Sequence, residues 1–351
     1  MVNKFVAALK HENTSTPPVW MMRQAGRYHA HYQSIRAKHS FLEVCKTPAL
    51  AAEVAMGPMR DFDFDAAILF SDILFPLEAM GIGLDFAPGP KLASHLREVA
   101  DLENYNPNIP PDFFEFQADG LRQTRAMLSP EKGLIGFVGA PLTLYFFAVE
   151  GSHKGDCSSA HAGLLDGRFK GFMERLHPVL LQNMKTQAAA RPDAMAMFDS
   201  CGGDIAPDLF AKIYLPHLAR VLRDFNAAYP DMPIIYYGKH MTREYWDLLR
   251  DLPITCLGVD HYQNLPNAMQ KYGARWALQG NFHPDYLTLP HDEFRARAAE
   301  FFTAMATVPT ELRQGWVCGL GHGVTPQARE ENVKAFVQMS REFFGAHSAA
   351  A

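Results

Sequence analysis

Two arginines stand four residues apart in the segment VWMMRQAGRY, residues 19–28, directly after a short apolar run. Four residues is about one helical turn, so the guanidinium groups of Arg23 and Arg27 could face the same side if the segment coils. Guanidinium groups bind carboxylates and phosphates through paired hydrogen bonds. The apolar run and Gly26 favour a constrained loop that binds an anion. The alternative is a pair of surface salt bridges, the usual role of paired arginines.

A single carboxylate, that of Asp72, stands inside the apolar segment ILFSDIL, residues 68–74. A carboxylate in such surroundings is costly unless it meets hydrogen-bond donors or a cation. One use for it is to stabilise positive charge that develops on a substrate. The other is to cap the N-terminus of a helix, a common role for aspartate. The residues alone leave both readings open.

Two further side chains could contact a ligand. Ser200 lies in AMFDSCGGDIAP, residues 196–207, where the glycines permit close approach and the hydroxyl could donate to a carboxylate. The alternative there is a capped helix start at Asp204, which the segment alone favours. His322 lies between two glycines in LGHGVTP, residues 320–326, which favours a substrate contact over a structural role.

The elements that must position these residues are short and apolar. Eight runs, each followed by a small or polar residue, predict buried strands: residues 19–22, 66–70, 134–138, 194–198, 233–237, 255–259, 276–278 and 316–320. Segments with helical periodicity, such as 209–222 and 295–305, separate most of them. This alternation predicts an α/β fold with a parallel sheet. Eight such units predict a single (β/α)8 TIM barrel over residues 1–346, with 347–351 as a disordered tail.

In such a barrel the residues that follow the strands meet at the carboxyl-terminal rim, where barrel enzymes carry their chemistry. They are Arg23, Ser71, Asp72, Gly139, Asp199, Ser200, Gly238, Lys239, Asp260, Asn281 and His322. Any one of them is most simply a polar turn at a strand end. A set that combines an arginine, a lysine, carboxylates and a histidine favours a shared active site at the rim.

Composition narrows the function classes. A net charge of −5 and a pI of about 6.3 argue against nucleic acid or an anionic membrane as partner. Five cysteines without a C-x-x-C pair predict a reduced, cytoplasmic compartment. No apolar stretch approaches the ~20 residues of a membrane span, and residues 1–15 lack the features of a signal peptide. The nucleotide-binding and zinc-protease motifs G-x-x-x-x-G-K-[ST], G-x-G-x-x-G and H-E-x-x-H are absent.

Taken together, the motifs resemble the uroporphyrinogen decarboxylase family. The matching segments follow the family's order and cover nearly the whole chain: WMMRQAGRY (20–28), ILFSDIL (68–74), GAPLTL (139–144), VEG (149–151), FDS (198–200), LQGN (278–281) and LGHG (320–323). The first of these segments is highly specific, whereas LGHG alone would be weak.

The resemblance implies a homodimeric (β/α)8 barrel that uses no metal or organic cofactor. Its implied activity removes carbon dioxide from the four acetate side chains of uroporphyrinogen III, giving coproporphyrinogen III in tetrapyrrole (heme) synthesis. Asp72 and Arg23 are then the catalytic residues, Asp72 facing the pyrrole N–H groups and Arg23 gripping carboxylate with Arg27. The substrate-binding positions implied by the resemblance are Arg23, Gln24, Ala25, Gly26, Arg27, Asp72, Phe147, Ser200 and His322.

The chain departs from the family pattern at three places. Phe147 stands where the family has a tyrosine, and Tyr145, two residues earlier, is a candidate to compensate. The family's GNLDP is GNFHP at residues 280–284, which loses an aspartate, and the family's asparagine before LGHG is Gly319. These changes bear on catalytic efficiency and substrate range. The sequence also leaves open the isomer preference and the residue that delivers the proton.

Two alternative functions stay open from the sequence. A corrinoid-dependent methyltransferase of the same superfamily would need a zinc-activated thiol, generally held by a His-x-Cys pair and a later cysteine. Residues 238–242 read GKHMT, without that pair. A non-catalytic tetrapyrrole-binding paralogue is favoured by Phe147 and opposed by the retained Arg23, Arg27, Asp72 and His322.

Overall fold

The computed structural model describes residues 3–86, 89–152 and 155–348. Its strands are β1 (Ala66–Ile68), β2 (Leu84–Phe86), β3 (Pro90–Leu92), β4 (Gly133–Gly139), β5 (Ala194–Asp199), β6 (Ile234–Gly238), β7 (Cys256–Gly258), β8 (Ala277–Phe282) and β9 (Trp316–Leu320). Seven of them form one curled parallel sheet in the order β1-β4-β5-β6-β7-β8-β9. β2 and β3 pair as an antiparallel hairpin.

Helices connect the parallel strands. They are α1 (Lys4–Leu9), α2 (Ala30–Arg36), α3 (Phe41–Lys46), α4 (Pro48–Phe62), α5 (Phe75–Ala79), α6 (Glu115–Met127), α7 (Pro141–Glu150), α8 (Ser158–Gly163), α9 (Arg168–Ala189), α10 (Pro207–Leu209), α11 (Leu215–Ala228), α12 (Arg243–Leu248), α13 (Leu265–Tyr272), α14 (His291–Ala306), α15 (Thr310–Arg313) and α16 (Glu330–Ser348). Short 3-10 helices span Val99–Asn104 and Pro284–Thr288, and a π-helical turn spans Phe210–Tyr214.

The apolar runs form strands because the sheet is covered on both faces. Every residue of β4, β5, β6, β8 and β9 is buried, as expected for a parallel sheet between a packed interior and surrounding helices. The register pairs Gly139 with Phe198 and Asp199 with Gly238, so these strand ends share one edge. Seven of the eight predicted runs are confirmed as strands of this sheet.

The first predicted run, residues 19–22, differs: only Val19 pairs, in an isolated parallel bridge to Cys318 of β9. Pro18 has no N–H to donate to a ladder. The N–H of Val19 goes to the Asp65 carboxylate at 2.8 Å rather than to a strand carbonyl. The structure therefore shows a seven-stranded curled sheet, with residue 19 bridged to one edge strand. On its other side, the carbonyl of Val19 accepts the N–H of Asp65, which directly precedes β1, at 2.8 Å.

α16 reaches Ser348, two residues past the expected end of the ordered barrel, and residues 349–351 of the expected tail lie outside the described residues. All five cysteines are buried and unbonded to one another. No helix of the described ranges is long and apolar enough to cross a bilayer.

Candidate active site

The loop that carries Arg23 is fixed by buried neighbours. Arg23 has a left-handed backbone, with φ of 63°. Gln24 is 1% exposed, and its amide donates to the Ala66 carbonyl of β1 at 3.0 Å and accepts the Met21 N–H at 3.1 Å. The Tyr28 hydroxyl donates to the Gln24 carbonyl at 2.7 Å. The side chain of Gln24 therefore braces the loop, which leaves its backbone as the part that could meet a substrate.

The other three predicted substrate-binding positions of this loop, residues 25–27, have different surroundings. Ala25 packs beside the small buried cluster of Tyr32, Val44 and Val54. A Cβ at Gly26 would come within 2.8 Å of the Arg23 carbonyl oxygen, so the tight loop requires glycine there. Arg27 is exposed.

Arg23 lies against the loop that follows β9. A Cβ at Gly323 would stand 2.6 Å from Cδ of Arg23, so the absence of a side chain at residue 323 lets the arginine stem pass. The N–H of Val324 donates to the Met22 carbonyl at 2.9 Å, which ties the two loops together. The arginine is open to solvent, yet desolvation by the surrounding protein lowers the pKa of its guanidinium, Asp72 opposes that effect, and Arg27 adds to it.

Asp72 is half-buried and keeps one carboxylate oxygen in a local hydrogen bond. Its Oδ1 accepts the N–H of Leu74 at 2.9 Å. Leu74 itself is the N-cap of α5, so Asp72 lies two residues before the cap position and is not the cap. Desolvation raises the pKa of the Asp72 carboxyl to about 6, although the Leu74 N–H and the Arg23 charge both oppose the rise. The carboxylate and Arg23 are thus close enough for each charge to act on the other.

His322 presents one ring nitrogen as a donor. Its Nδ1 accepts the N–H of Gly323 at 2.7 Å, so in the neutral ring the proton sits on Nε2. Desolvation lowers the pKa of His322 to about 4, and the charges of Arg23 and Lys239 add to that effect. The ring meets Tyr237 edge to face, with centroids 6.2 Å apart. At neutral pH His322 is therefore an uncharged hydrogen-bond donor beside Arg23.

Ser200 is held in place through the buried carboxylate of Asp199, a residue that the sequence marked only as lying at the rim. Asp199, at the end of β5, is fully buried, and it accepts hydrogen bonds from the hydroxyls of Thr143 (2.9 Å), Tyr214 (2.7 Å) and Tyr236 (2.8 Å). Desolvation raises its pKa, while these donors oppose the rise. The N–H of Ser200 donates to the Thr143 hydroxyl at 2.8 Å, so the turn that carries the serine is held from two sides.

Sequence reasoning missed the tyrosines of β6. Tyr236 donates to Asp199, and Tyr237 donates to the Gly321 carbonyl at 2.9 Å, beside His322. Successive side chains of a strand point to opposite faces, so the adjacent pair in one strand could have signalled contacts with two different neighbours.

Phe147 and Tyr145 both lie on α7, which follows β4, and both are buried, at 5% and 0% exposure. The Tyr145 hydroxyl donates to the Ala160 carbonyl of α8 at 3.2 Å. A Cβ at Gly163 would stand 2.1 Å from that hydroxyl, so α8 closes tightly over it. The hydroxyl of Tyr145 is therefore engaged with α8, and the suggested compensation for Phe147 has no support from its position.

The structure thus brings Arg23, Asp72 and His322 together at the carboxyl ends of the strands. Arg27 is near enough for its charge to lower the pKa of Arg23. Ser200 directly follows β5 at the same rim, and Phe147 lies on α7, the helix that follows β4. Across the described ranges, no three His, Cys, Asp or Glu side chains form a group that could hold a metal ion.

The curled parallel sheet and this cationic rim define an α/β enzyme whose site suits a carboxylate-bearing ligand. Comparison with known proteins gives the family. The model described as Uroporphyrinogen decarboxylase (URO-D) matches residues 2–343. A curated uroporphyrinogen decarboxylase of Sorangium cellulosum is 35% identical over 343 residues, covering 97% of this chain and 96% of the relative. One of Trichlorobacter lovleyi is 34% identical over 339 residues, covering 96% and 97%. The chain belongs to the uroporphyrinogen decarboxylase family.

Solved structures agree on the fold. A methyltransferase from Methanosarcina mazei superposes with a TM-score of 0.76 at 19% identity, covering 97% of this chain and 98% of that one. A putative vitamin-B12 independent methionine synthase from Listeria monocytogenes superposes with a TM-score of 0.54 at 11% identity, covering 94% and 97%. At these identities the likeness concerns the fold alone.

Proposed function

We propose that this protein is a carboxy-lyase that converts uroporphyrinogen III to coproporphyrinogen III in heme synthesis. Family membership over nearly the whole chain supports the substrate and the reaction. The observation that carries the proposal is the juxtaposition of Asp72 with Arg23, in which each charge shifts the pKa of the other group. A carboxylate able to face a cation and a guanidinium able to grip a carboxylate are the two groups that the reaction needs.

The reaction is a proton-for-carbon-dioxide exchange on each acetate arm. A proton adds to the ring carbon next to the one that bears the arm, and the ring becomes a cation conjugated with the arm-bearing carbon. The bond between the arm's CH2 and its carboxylate then breaks, its electron pair flows into the ring, and carbon dioxide leaves. The exocyclic CH2 takes up a proton to become methyl, and the ring carbon releases its own. Each turn thus consumes one proton and restores a neutral pyrrole.

The residues divide this work by charge. In this proposal Asp72 faces the pyrrole N–H groups with its carboxylate and stabilises the cationic ring, an electrostatic effect that matters most in the transition state. Arg23 and Arg27 hold substrate carboxylates, which guanidinium groups can bind through paired hydrogen bonds. His322 and Ser200 donate neutral hydrogen bonds to other arms. The backbone of residues 24–26 and the ring of Phe147 shape the walls.

We further propose that residues 18–20 close the sheet as the eighth strand of a barrel. On one side, the N–H of Trp20 donates to the Cys318 carbonyl of β9. On the other side, the carbonyl of Val19 accepts the N–H of Asp65, just ahead of β1. The Trp20 indole also donates to the side chain of Gln279 on β8 at 2.9 Å. These contacts support one closed (β/α)8 domain over residues 1–346. A homodimer and a cytoplasmic location, both implied by the family, are part of the same proposal.

The test is an anaerobic assay of the purified protein with freshly reduced uroporphyrinogen III. We expect carbon dioxide release and coproporphyrinogen formation, unchanged by added metal. Binding of the tetrapyrrole without carbon dioxide release would indicate a non-catalytic paralogue. Stoichiometric zinc together with methyl transfer to a thiol would instead support the methyltransferase reading, and either result ends the proposal.

A further inference from the structure

His283 lies directly after β8, in the sector next to His322, and its ring is ordered by three contacts. Its Nδ1 accepts the N–H of Asp285 at 3.2 Å. One face stacks on Tyr286, with centroids 4.9 Å apart. The ring also meets His261 edge to face, with centroids 4.3 Å apart. Because a backbone N–H can only donate, the proton of the neutral His283 ring sits on Nε2.

This arrangement repeats that of His322 one strand further along the sheet. In both residues Nδ1 is occupied by the N–H of a residue just downstream, at 2.7 Å for His322 and 3.2 Å for His283. In both, desolvation lowers the pKa, and for His283 the neighbouring His261 adds to the effect. Each ring is therefore uncharged at neutral pH and keeps Nε2–H as its donor.

A short series of contacts joins His283 to the site. His261, whose side chain is 8% exposed, places its Nδ1 3.5 Å from the Gly321 carbonyl and 3.5 Å from Asp260 Oδ1. A Cβ at Gly321 would stand 2.2 Å from the His261 backbone nitrogen, so the two loops touch. Gly321 directly precedes His322. The series His283, His261, Gly321 and His322 thus forms one continuous stretch of rim.

We propose that His283 is an additional substrate-binding residue whose Nε2–H donates to a side-chain carboxylate of the tetrapyrrole. The inference rests on the proposed function and deepens it. A ligand with several carboxylates around one ring system needs donors spread along the rim, and His283 extends the donors from the Arg23 and His322 loops to β8. It also gives the histidine of GNFHP a use that an aspartate cannot supply, since a carboxylate would repel an anionic arm.

The competing explanation is local. His283 is the N-cap of the 3-10 helix Pro284–Thr288, and its bond to Asp285 could be its whole role. Asparagine separates the two explanations, because it caps well but reaches only as far as the position of Nδ1. Glutamine does the opposite, since its amide reaches the position of Nε2 but it is a poor cap.

The experiment measures the affinity of each variant for uroporphyrin by fluorescence quenching, and KM and kcat for uroporphyrinogen decarboxylation. We expect His283→Asn to weaken binding and raise KM about tenfold, the size of a lost hydrogen bond to a charged group. Its kcat and melting temperature should stay near those of the wild type. His283→Gln should keep affinity within about threefold and melt slightly lower, following the same hydrogen-bond argument.

The matched control is His217→Asn on α11, outside the sheet, where the ring packs edge-on against Phe169; it should leave affinity and KM unchanged. Wild-type affinity and KM in His283→Asn, or no saturable uroporphyrin binding by the wild type, would overturn the inference. Saturable binding without carbon dioxide release would contradict the proposed decarboxylase activity. The role of His283 would then be decided by the uroporphyrin affinity of His283→Asn relative to the wild type.

Discussion

Two regions of the molecule, one at the rim and one in the helix after β4, have opposite character. The arginine–histidine sector, made of the 23–28 loop, Asp72 and the 321–323 loop, keeps charged or polar tips toward solvent while Gln24 and Tyr28 brace it from below. The α7 sector, residues 141–150, is apolar, and every residue from Pro141 to Val149 is buried. Its two hydroxyls that make hydrogen bonds, on Thr143 and Tyr145, turn to Asp199 and to Ala160.

This difference suits a reaction that builds up positive charge. An apolar wall lowers the local dielectric constant, so the field of a nearby carboxylate is stronger than in water. Desolvation raises the pKa of Asp72 to about 6, which is the energetic cost of placing the charge there. In the proposed mechanism the arginine–histidine sector supplies the charges, and the apolar helix α7 makes them effective.

The largest effect should come from removing the charge of Asp72. Asp72→Asn keeps the shape and the hydrogen bond to Leu74, so the fold should be unchanged. We expect kcat to fall about 100-fold to 1,000-fold, the range found when one preorganised electrostatic group is lost. The loss should lie mainly in kcat because the cationic ring exists mainly in the transition state. Asp72→Glu, which keeps the charge but moves it, should retain part of the activity. Near-normal turnover of the Asn variant at an unchanged melting temperature would show that Asp72 only accepts the local hydrogen bond from Leu74.

Arg23→Lys should come next. Lysine keeps the positive charge but loses the planar fork that binds a carboxylate at two points. We expect kcat/KM to fall about 10-fold to 100-fold, from the loss of charge-assisted hydrogen bonds. Steady-state kinetics of the variant beside Arg220→Lys, an exposed arginine of α11, provides the control. Wild-type turnover and affinity in Arg23→Lys would show that charge alone suffices in this sector.

Phe147→Tyr alters the apolar wall itself. It adds a hydroxyl where the family has one, and we expect a gain of a few-fold in kcat/KM, the size of one net hydrogen bond. The melting temperature should change little if the hydroxyl reaches the substrate side. A well-folded variant with lower activity would mean that this chain needs an entirely apolar wall.

The smallest catalytic effect should follow Tyr145→Phe. Its hydroxyl bonds to α8, so its removal should lower the free energy of unfolding by about 1 kcal/mol, the usual contribution of one hydrogen bond. Turnover should stay within about twofold of the wild type, because that loss lies outside the reacting groups. A large drop in kcat with normal stability would bring Tyr145 into the site.

The sequence predicted the sheet well because parallel strands buried on both faces are continuous apolar runs. Of the run at residues 19–22 the structure shows one paired residue, because the run contains the right residue types but Pro18 and the Asp65 carboxylate shorten the pairing to Val19. Among site residues, Arg23, Asp72 and His322 could be found because charged groups between apolar or glycine residues are unusual. The bracing role of Gln24 and the hydrogen bonds of Tyr236 and Tyr237 depend on contacts between residues 37 to 84 positions apart, which no local pattern predicts.

The most direct test of the account is the pH dependence of kcat/KM, which reports groups of the free enzyme. The pKa of Asp72, raised to about 6, means that the carboxylate is charged above that pH and neutral below it. His322, with a pKa lowered to about 4, stays neutral through this range. We predict that wild-type kcat/KM falls as pH drops below about 6, with a slope that approaches tenfold per pH unit. The residual kcat/KM of Asp72→Asn should not show this acidic decline. A wild-type profile that stays flat down to pH 5, or a limb shared by both proteins, would contradict the role of the Asp72 charge.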